Sequence, residues 1–158
     1  SILIHIFLTL YLAWQSKQAR PIAYAVSSGS SNSTWSSNNM AILGTALFIF
    51  IIIHLRSFWY EMHFGDIPYQ YLNDGTKLKD LYLITTSAFN DPIYTLFYVF
   101  SMAALALHLK HGLESALQTI GLKFPNYEMA LKYITTFIAL VIPATFASIP
   151  IYLFFKNL

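Results

Sequence analysis

Four long apolar runs, separated by polar stretches, organise the chain. The first extends from Ser1 to about Ala19 and stops at QSKQARP, where Pro21 disfavours helical geometry in the residue before it. A polar loop, SSGSSNSTWSSNN, ends on Asn38 and Asn39, both good N-cap candidates. The second run, Met40 to about Tyr60, contains LFIFIIIHL and closes with RSFWY. Its Arg56, Trp59 and Tyr60 suit a membrane boundary. The stretch EMHFGDIPYQYLNDGTKLKD must then lie in water or at the interface, with a short surface helix expected in DLYLITTSAF. Asp91-Pro92 opens the third run as an N-cap followed by proline at the first helical position. That run continues to about Leu122, and its turns from Lys110 onward mix charge with apolar residues, so they should project past the membrane. The fourth runs from about Tyr127 to Phe155 and is expected to bend at Pro143 and Pro150.

Each run can cross a hydrocarbon core of ~30 Å, which takes roughly 20 helical residues. The pattern therefore predicts an all-α transmembrane helical bundle. It forms one membrane domain over 1–158, with spanning helices at about 1–19, 40–60, 92–122 and 127–155 and polar loops at 20–39 and 61–91. No internal repeat is visible. Lys17, Arg20, Lys110, Lys123 and Lys132 on one side face Arg56, Lys77, Lys79 and Lys156 on the other. The small excess assigns the first side to the cytoplasm, the more so because Lys77 and Lys79 sit away from helix ends.

Composition agrees with lipid as the main solvent. Hydrophobic residues make up 56% of the 158 and charged ones only 10%, where a soluble domain carries about 25% charged. A formal net charge of +2 implies no strongly basic surface, so nucleic acid is not an expected partner. The absence of cysteine excludes disulfides, thiolate zinc sites and cysteine-held iron–sulfur clusters from this chain. The chain opens SILIHIFLTLYLAW, without Met and already inside an apolar helix. We expect a missing upstream part, a cleaved signal peptide being a poorer account.

Ionisable groups inside spanning segments are costly and mark functional sites. His5, His54 and His108 each sit in a strongly apolar neighbourhood: ILIHIFL, IIIHLRS and LALHLKH. A single such histidine is explained as well by a hydrogen bond to a neighbouring helix. Three, on three helices with hardly any acid or base beside them, fit proton relays poorly because those combine His with Asp or Glu. Neutral imidazole is a standard axial ligand of haem iron. On the face of His108, at four and seven residues, lie Ser101, Ala104, Gly112 and Ser115, all small. A haem lying edge-on along the helix needs that flatness, although small residues also let membrane helices pack closely. His54 is flanked instead by Phe50 and Phe58, with Ala46 further along.

Alternate spans run in the same direction, so the first and third are parallel. His5 precedes Arg20 by fifteen residues and His108 precedes Gly121 by thirteen, placing them ~22 Å and ~20 Å from the cytoplasmic helix ends. The two could hold one iron from both sides. His54, near the opposite end of its span, needs another partner, expected in the missing upstream part. His111, beside Lys110 and Glu114, reads as an interfacial group for a haem propionate or neighbouring protein, or as a solvated helix-end histidine. His63 is expected in the loop or at the interface. Arg20 and Lys17 suit propionates or, more commonly, lipid headgroups. The formal glycosylation acceptor Asn32-Ser33-Thr34 carries no meaning on a cytoplasmic face.

In its order of marks the chain resembles the dihaem cytochrome b membrane subunit of succinate dehydrogenase and fumarate reductase, in its single-large-anchor bacterial form. The marks are the histidine of the first run followed by SKQARPIAY, then IIIHLRSFW, HLKHGLESALQTIGL and IPATFASIPIYLFF. The resemblance spans nearly the whole chain and implies a five-helix subunit with two b haems, each held by two histidines. It implies His5 and His108 on the inner haem and His54 on the outer haem, opposite a histidine on a preceding helix. It further implies succinate oxidation at a flavin in a partner subunit, with electrons passing through iron–sulfur clusters to quinone, menaquinone being expected. FAD and clusters would belong to the flavoprotein and iron–sulfur partner subunits, docked on 27–39 and 121–128. The setting would be the bacterial cytoplasmic membrane, and this chain would perform no succinate chemistry itself.

Competing readings are a cytochrome b anchor of a hydrogenase or formate dehydrogenase, a proton-conducting or transport protein titrating at His5, His54 and His108, and a haem-free anchor or assembly subunit.

Overall fold

The computed structural model describes residues 2–19, 35–122 and 125–156. The fold is mostly helical, and the chain divides into two compact units, Ser1–Ser33 and Thr34–Leu158. The first unit carries α1 (Ile2–Ala19). In the second, a single turn α2 (Trp35–Asn38) leads into α3 (Met40–His54). Helical backbone continues beyond α3 as a π-helical segment, Leu55–Tyr60, and a last α-helical turn, α4 (Glu61–Phe64). A two-stranded antiparallel hairpin follows, β1 (Tyr69–Tyr71) against β2 (Lys77–Lys79), in the register Tyr69 to Lys79. Then come α5 (Leu81–Ala88), α6 (Pro92–Thr119) and α7 (Glu128–Lys156).

Among the described residues three helices are long and apolar enough to cross a membrane: Met40–Phe64, Pro92–Thr119 and Glu128–Lys156. Helix α1, expected as a further span, is not one of them. Its last turns hold Gln15, Ser16, Lys17 and Gln18, which leave a short apolar stretch within its 18 residues. The three long helices keep only 11%, 22% and 22% of their most apolar windows buried, so most of their hydrophobic surface faces outward. That distribution suits helices whose outer faces lie in lipid, where outward apolar residues cost nothing.

Local chemistry sets the helix ends. The Asp91 carboxylate accepts from the N–H groups of Ile93 (2.7 Å) and Tyr94 (3.3 Å), with Pro92 at the first position, as the dipeptide predicts. Asp80 caps α5 by accepting from the Leu83 N–H at 2.9 Å. Asn39 stands at the N-cap of α3 but does not cap it, because its side-chain amide turns back to donate to the Trp35 carbonyl at 2.8 Å. Helix α7 runs through Pro143 and Pro150, where the sequence predicts bends, and both prolines are buried.

The region 61–91 holds more structure than a polar loop. The helix of the second run carries on through RSFWY to Phe64, and Arg56 forms an ion pair with Glu61. The hairpin turns at Asp74-Gly75, where Gly75 has φ +82°, a region that glycine enters at little cost. The Thr76 N–H donates to the Asp74 carboxylate at 2.9 Å and holds that carboxyl below its usual range.

The second unit is held by α6 packing on α7 and on α3. The buried seam of α7 is Thr135, Ala139, Pro143, Pro150 and Leu153; that of α6 is Thr95, Tyr98, Ser101 and Met102. Hydroxyl-bearing residues dominate the second, and Thr135 and Ala139 are the small members of the first. In lipid such residues drive helix association by letting backbones approach.

Candidate functional site

Two histidines of the second unit stand in unlike settings. His54 is the last residue of α3, immediately before the π-helical segment. Its Nδ1 is 3.2 Å from the Tyr98 hydroxyl on α6, which in turn is 3.1 Å from the Tyr94 hydroxyl one helical turn earlier. Phe50 and Phe58, one turn either side of His54, hold their rings 5.7 and 5.3 Å from the imidazole. Tyr98 is buried, and the rings of Phe50 and Phe89 both stand edge-on to it at 5.0 Å. Edge-to-face contacts at this distance match the electrostatics of aromatic rings. Phe89 comes from the corner between α5 and α6, which Thr95 closes by donating to the Phe89 carbonyl at 3.1 Å. Leu153 of α7 joins Phe89 and Tyr98 in this cluster.

A buried hydroxyl without a partner would cost about 1–3 kcal/mol. Tyr98 avoids that cost with two partners, and its ring is clamped so that the hydroxyl oxygen has one position. The result is a three-member polar chain, Tyr94–Tyr98–His54, whose buried middle member is boxed by aromatic rings.

His108 is half-buried on α6, and its ring lies over Gly44 of α3. A Cβ at Gly44 would be 3.5 Å from the His108 Cε1 and 4.0 Å from its Nδ1, while Nε2 lies farther away. Any larger residue at 44 would meet the imidazole. The small residues in line with His108 divide into two groups. Ser101 is buried, its hydroxyl donating to the Phe97 carbonyl at 2.8 Å, and Ala104 is half-buried. At Gly112 an added Cβ would meet nothing within 4 Å, and Ser115 is exposed. One half of the line thus serves packing inside the unit, and the other half leaves a low, open helix surface.

His5 lies on α1 in the first unit, where the Thr9 hydroxyl donates to its carbonyl at 2.7 Å. His111 is half-buried on α6; one turn on, the Glu114 Oε1 is buried with no hydrogen-bond partner among the described residues. His63 lies on α4, its Nδ1 2.8 Å from the Trp59 carbonyl, so it belongs to the helix end and not to a loop. Arg20 lies outside the described residues, as do Lys123 and most of the Ser/Asn loop. No three or more His, Cys, Asp or Glu converge as a bare-metal site among the described residues.

No family model, no curated protein and no solved structure matches the chain. The site therefore rests on its own residues. Sequence reasoning missed Tyr94, Tyr98, Phe89 and Gly44. The one visible signal was the pair of tyrosines four apart in PIYTLFYV, which places two hydroxyls on one face of an apolar helix.

Proposed function

We propose that the chain is a haem b-binding membrane-anchor subunit of a succinate:quinone oxidoreductase, passing electrons between an iron–sulfur subunit and membrane quinone. The observation that carries this reading is the set of single histidines on apolar helices, of which His54 has Nδ1 engaged by a hydroxyl. A ligating histidine is ordinarily held in this way, with its second nitrogen bonded and the first directed to the metal.

The residues fit the group. On this reading His108 would supply an imidazole to an inner haem and His54 one to an outer haem, with His5 on the first run a further candidate ligand. Gly112 and Ser115 keep the surface beside His108 low enough for a flat macrocycle, while Ser101 and Ala104 hold α6 in place. Arg20 and His111 would meet propionates. Haem, when bound, supplies the one-electron centre, and apolar helix faces exclude water and thereby tune its potential. On this reading the first run crosses the membrane as a fourth span of a five-helix subunit. Flavin and iron–sulfur clusters sit in partner subunits, menaquinone is the lipid-borne acceptor or donor, and the location is the bacterial cytoplasmic membrane.

The Tyr94–Tyr98–His54 chain also favours a second reading, a proton-conducting protein, because hydroxyls and imidazole can hand protons along. Colour separates the two. Reduced-minus-oxidised spectra of the purified native complex should show two low-spin b haems per copy of this subunit. His108→Ala should remove one of them. A colourless complex would favour proton movement, and an unchanged two-haem spectrum in His108→Ala would overturn the ligand assignment.

A further inference from the structure

We infer that Tyr98, backed by Tyr94, is a positioning residue that accepts from the His54 Nδ1–H and so orients the ring with Nε2 left for an iron ligated from α3. This rests on the proposed haem reading and assigns a role to two residues which that reading leaves unused.

Hydrogen-bond bookkeeping supports it. A neutral imidazole has one N–H donor and one lone-pair acceptor, and the hydrogen bond at one nitrogen decides which state the other presents. The Tyr98 hydroxyl has one proton and two neighbours, the His54 Nδ1 at 3.2 Å and the Tyr94 oxygen at 3.1 Å. Two orders place one proton in each of the two links. In one, His54 Nδ1–H donates to Tyr98 and Tyr98 donates to Tyr94, leaving a lone pair on Nε2. In the other, Tyr94 donates to Tyr98 and Tyr98 donates to Nδ1, leaving an N–H on Nε2 that no metal can use. Iron at Nε2 selects the first order for the whole chain.

The aromatic box makes the selection rigid. Phe50 and Phe89 meet Tyr98 edge-on at 5.0 Å, and Phe58 and Phe97 do so at 6.3 and 5.9 Å. Tyr98 is 6% exposed, so its hydroxyl cannot swing to water instead. An acceptor at Nδ1–H makes the imidazole a stronger donor to iron, and loss of such a partner typically weakens a metal site about 10–100-fold.

The experiment uses the whole membrane complex, with wild type, Tyr98→Phe and Tyr94→Phe compared by haem content, by potentiometric titration of each haem, and by low-temperature EPR of the oxidised haems. Phenylalanine keeps the ring packing and removes only the hydroxyl. Tyr98→Phe should raise the midpoint potential of the His54-side haem and shift its EPR signal, or lower that haem's retention about 10–100-fold. Tyr94→Phe should shift the same haem in the same direction by less, and the haem that His108→Ala removes should be unchanged in both variants. Two haems with unmoved potentials and signals in Tyr98→Phe would overturn the inference and leave the haem reading standing. Equal changes at both haems would also overturn it, since they report general loosening of the fold. A wild-type complex without haem would overturn both.

Discussion

His54 and His108 of the second unit are accommodated by opposite means. Around His54 aromatic rings crowd one side: Phe50, Phe58 and Tyr98 contact the imidazole and its Nδ1 is tied to a hydroxyl, while the residue as a whole stays exposed. Around His108 the space is made by omission, with Gly44 under the ring and Gly112 opening the next turn. A polar ring in an apolar helix can thus be held by what is added beside it or by what is left out. The first way fixes an orientation. The second leaves a surface on which something flat can lie.

The comparison can be broken from either side. The largest stability effect should come from Phe89→Ala, which empties the centre of the box; removing a buried phenylalanine costs about 3–5 kcal/mol. Thermal unfolding in detergent should show that loss and, on the proposed haem reading that the next two variants share, weaker retention of the His54-side haem with little change at the His108 side. Gly44→Leu should come next. A side chain at 44 meets the His108 ring, and overpacking of this kind costs about 1–3 kcal/mol, so His108-side haem content should fall with the box intact. The smallest stability effect should belong to Gly112→Ala. Its new Cβ meets nothing within 4 Å, so unfolding should move by no more than the helix-propensity gain of about 1 kcal/mol. Loss of the His108-side haem without destabilisation in Gly112→Ala would mark that face as the one the macrocycle covers. Full haem retention there would move it elsewhere.

Much of this architecture is legible in residue patterns. LFIFIIIHL and ALVIPATFASIPIYLFF leave little room for anything except membrane-length helices, and Asp91-Pro92 announces α6 to the residue. The surface helix in DLYLITTSAF is found at Leu81–Ala88. Other features depend on contacts that no local pattern encodes. RSFWY looks like a helix end at an interface, yet the Arg56–Glu61 pair and the His63–Trp59 bond carry the helix on to Phe64. The hairpin at Asp74-Gly75 falls in a stretch that reads only as polar, because its strands, Tyr-Gln-Tyr and Lys-Leu-Lys, are too short to read as strands. The site divides in the same way. His54 and His108 stand out because polar rings are rare in such runs, whereas Tyr98 meets His54 across 44 residues of chain. Only the fold makes that neighbour.

The prolines of α7 have a mechanical consequence. Each lacks the N–H that would bond the carbonyl four residues earlier, so the links from Ala139 and Phe146 are missing. Pro143 and Pro150 stand seven residues apart, hence on one side of the helix, and both are buried. The weakened side of the rod therefore runs along its seam with α6, while the lipid side keeps an unbroken ladder. Such a rod is stiff against bending in one plane and compliant in the plane of the seam. Thermal flexing of α7 would then be spent opening and closing the α6–α7 joint, with Leu153 carrying the movement into the cluster around Tyr98.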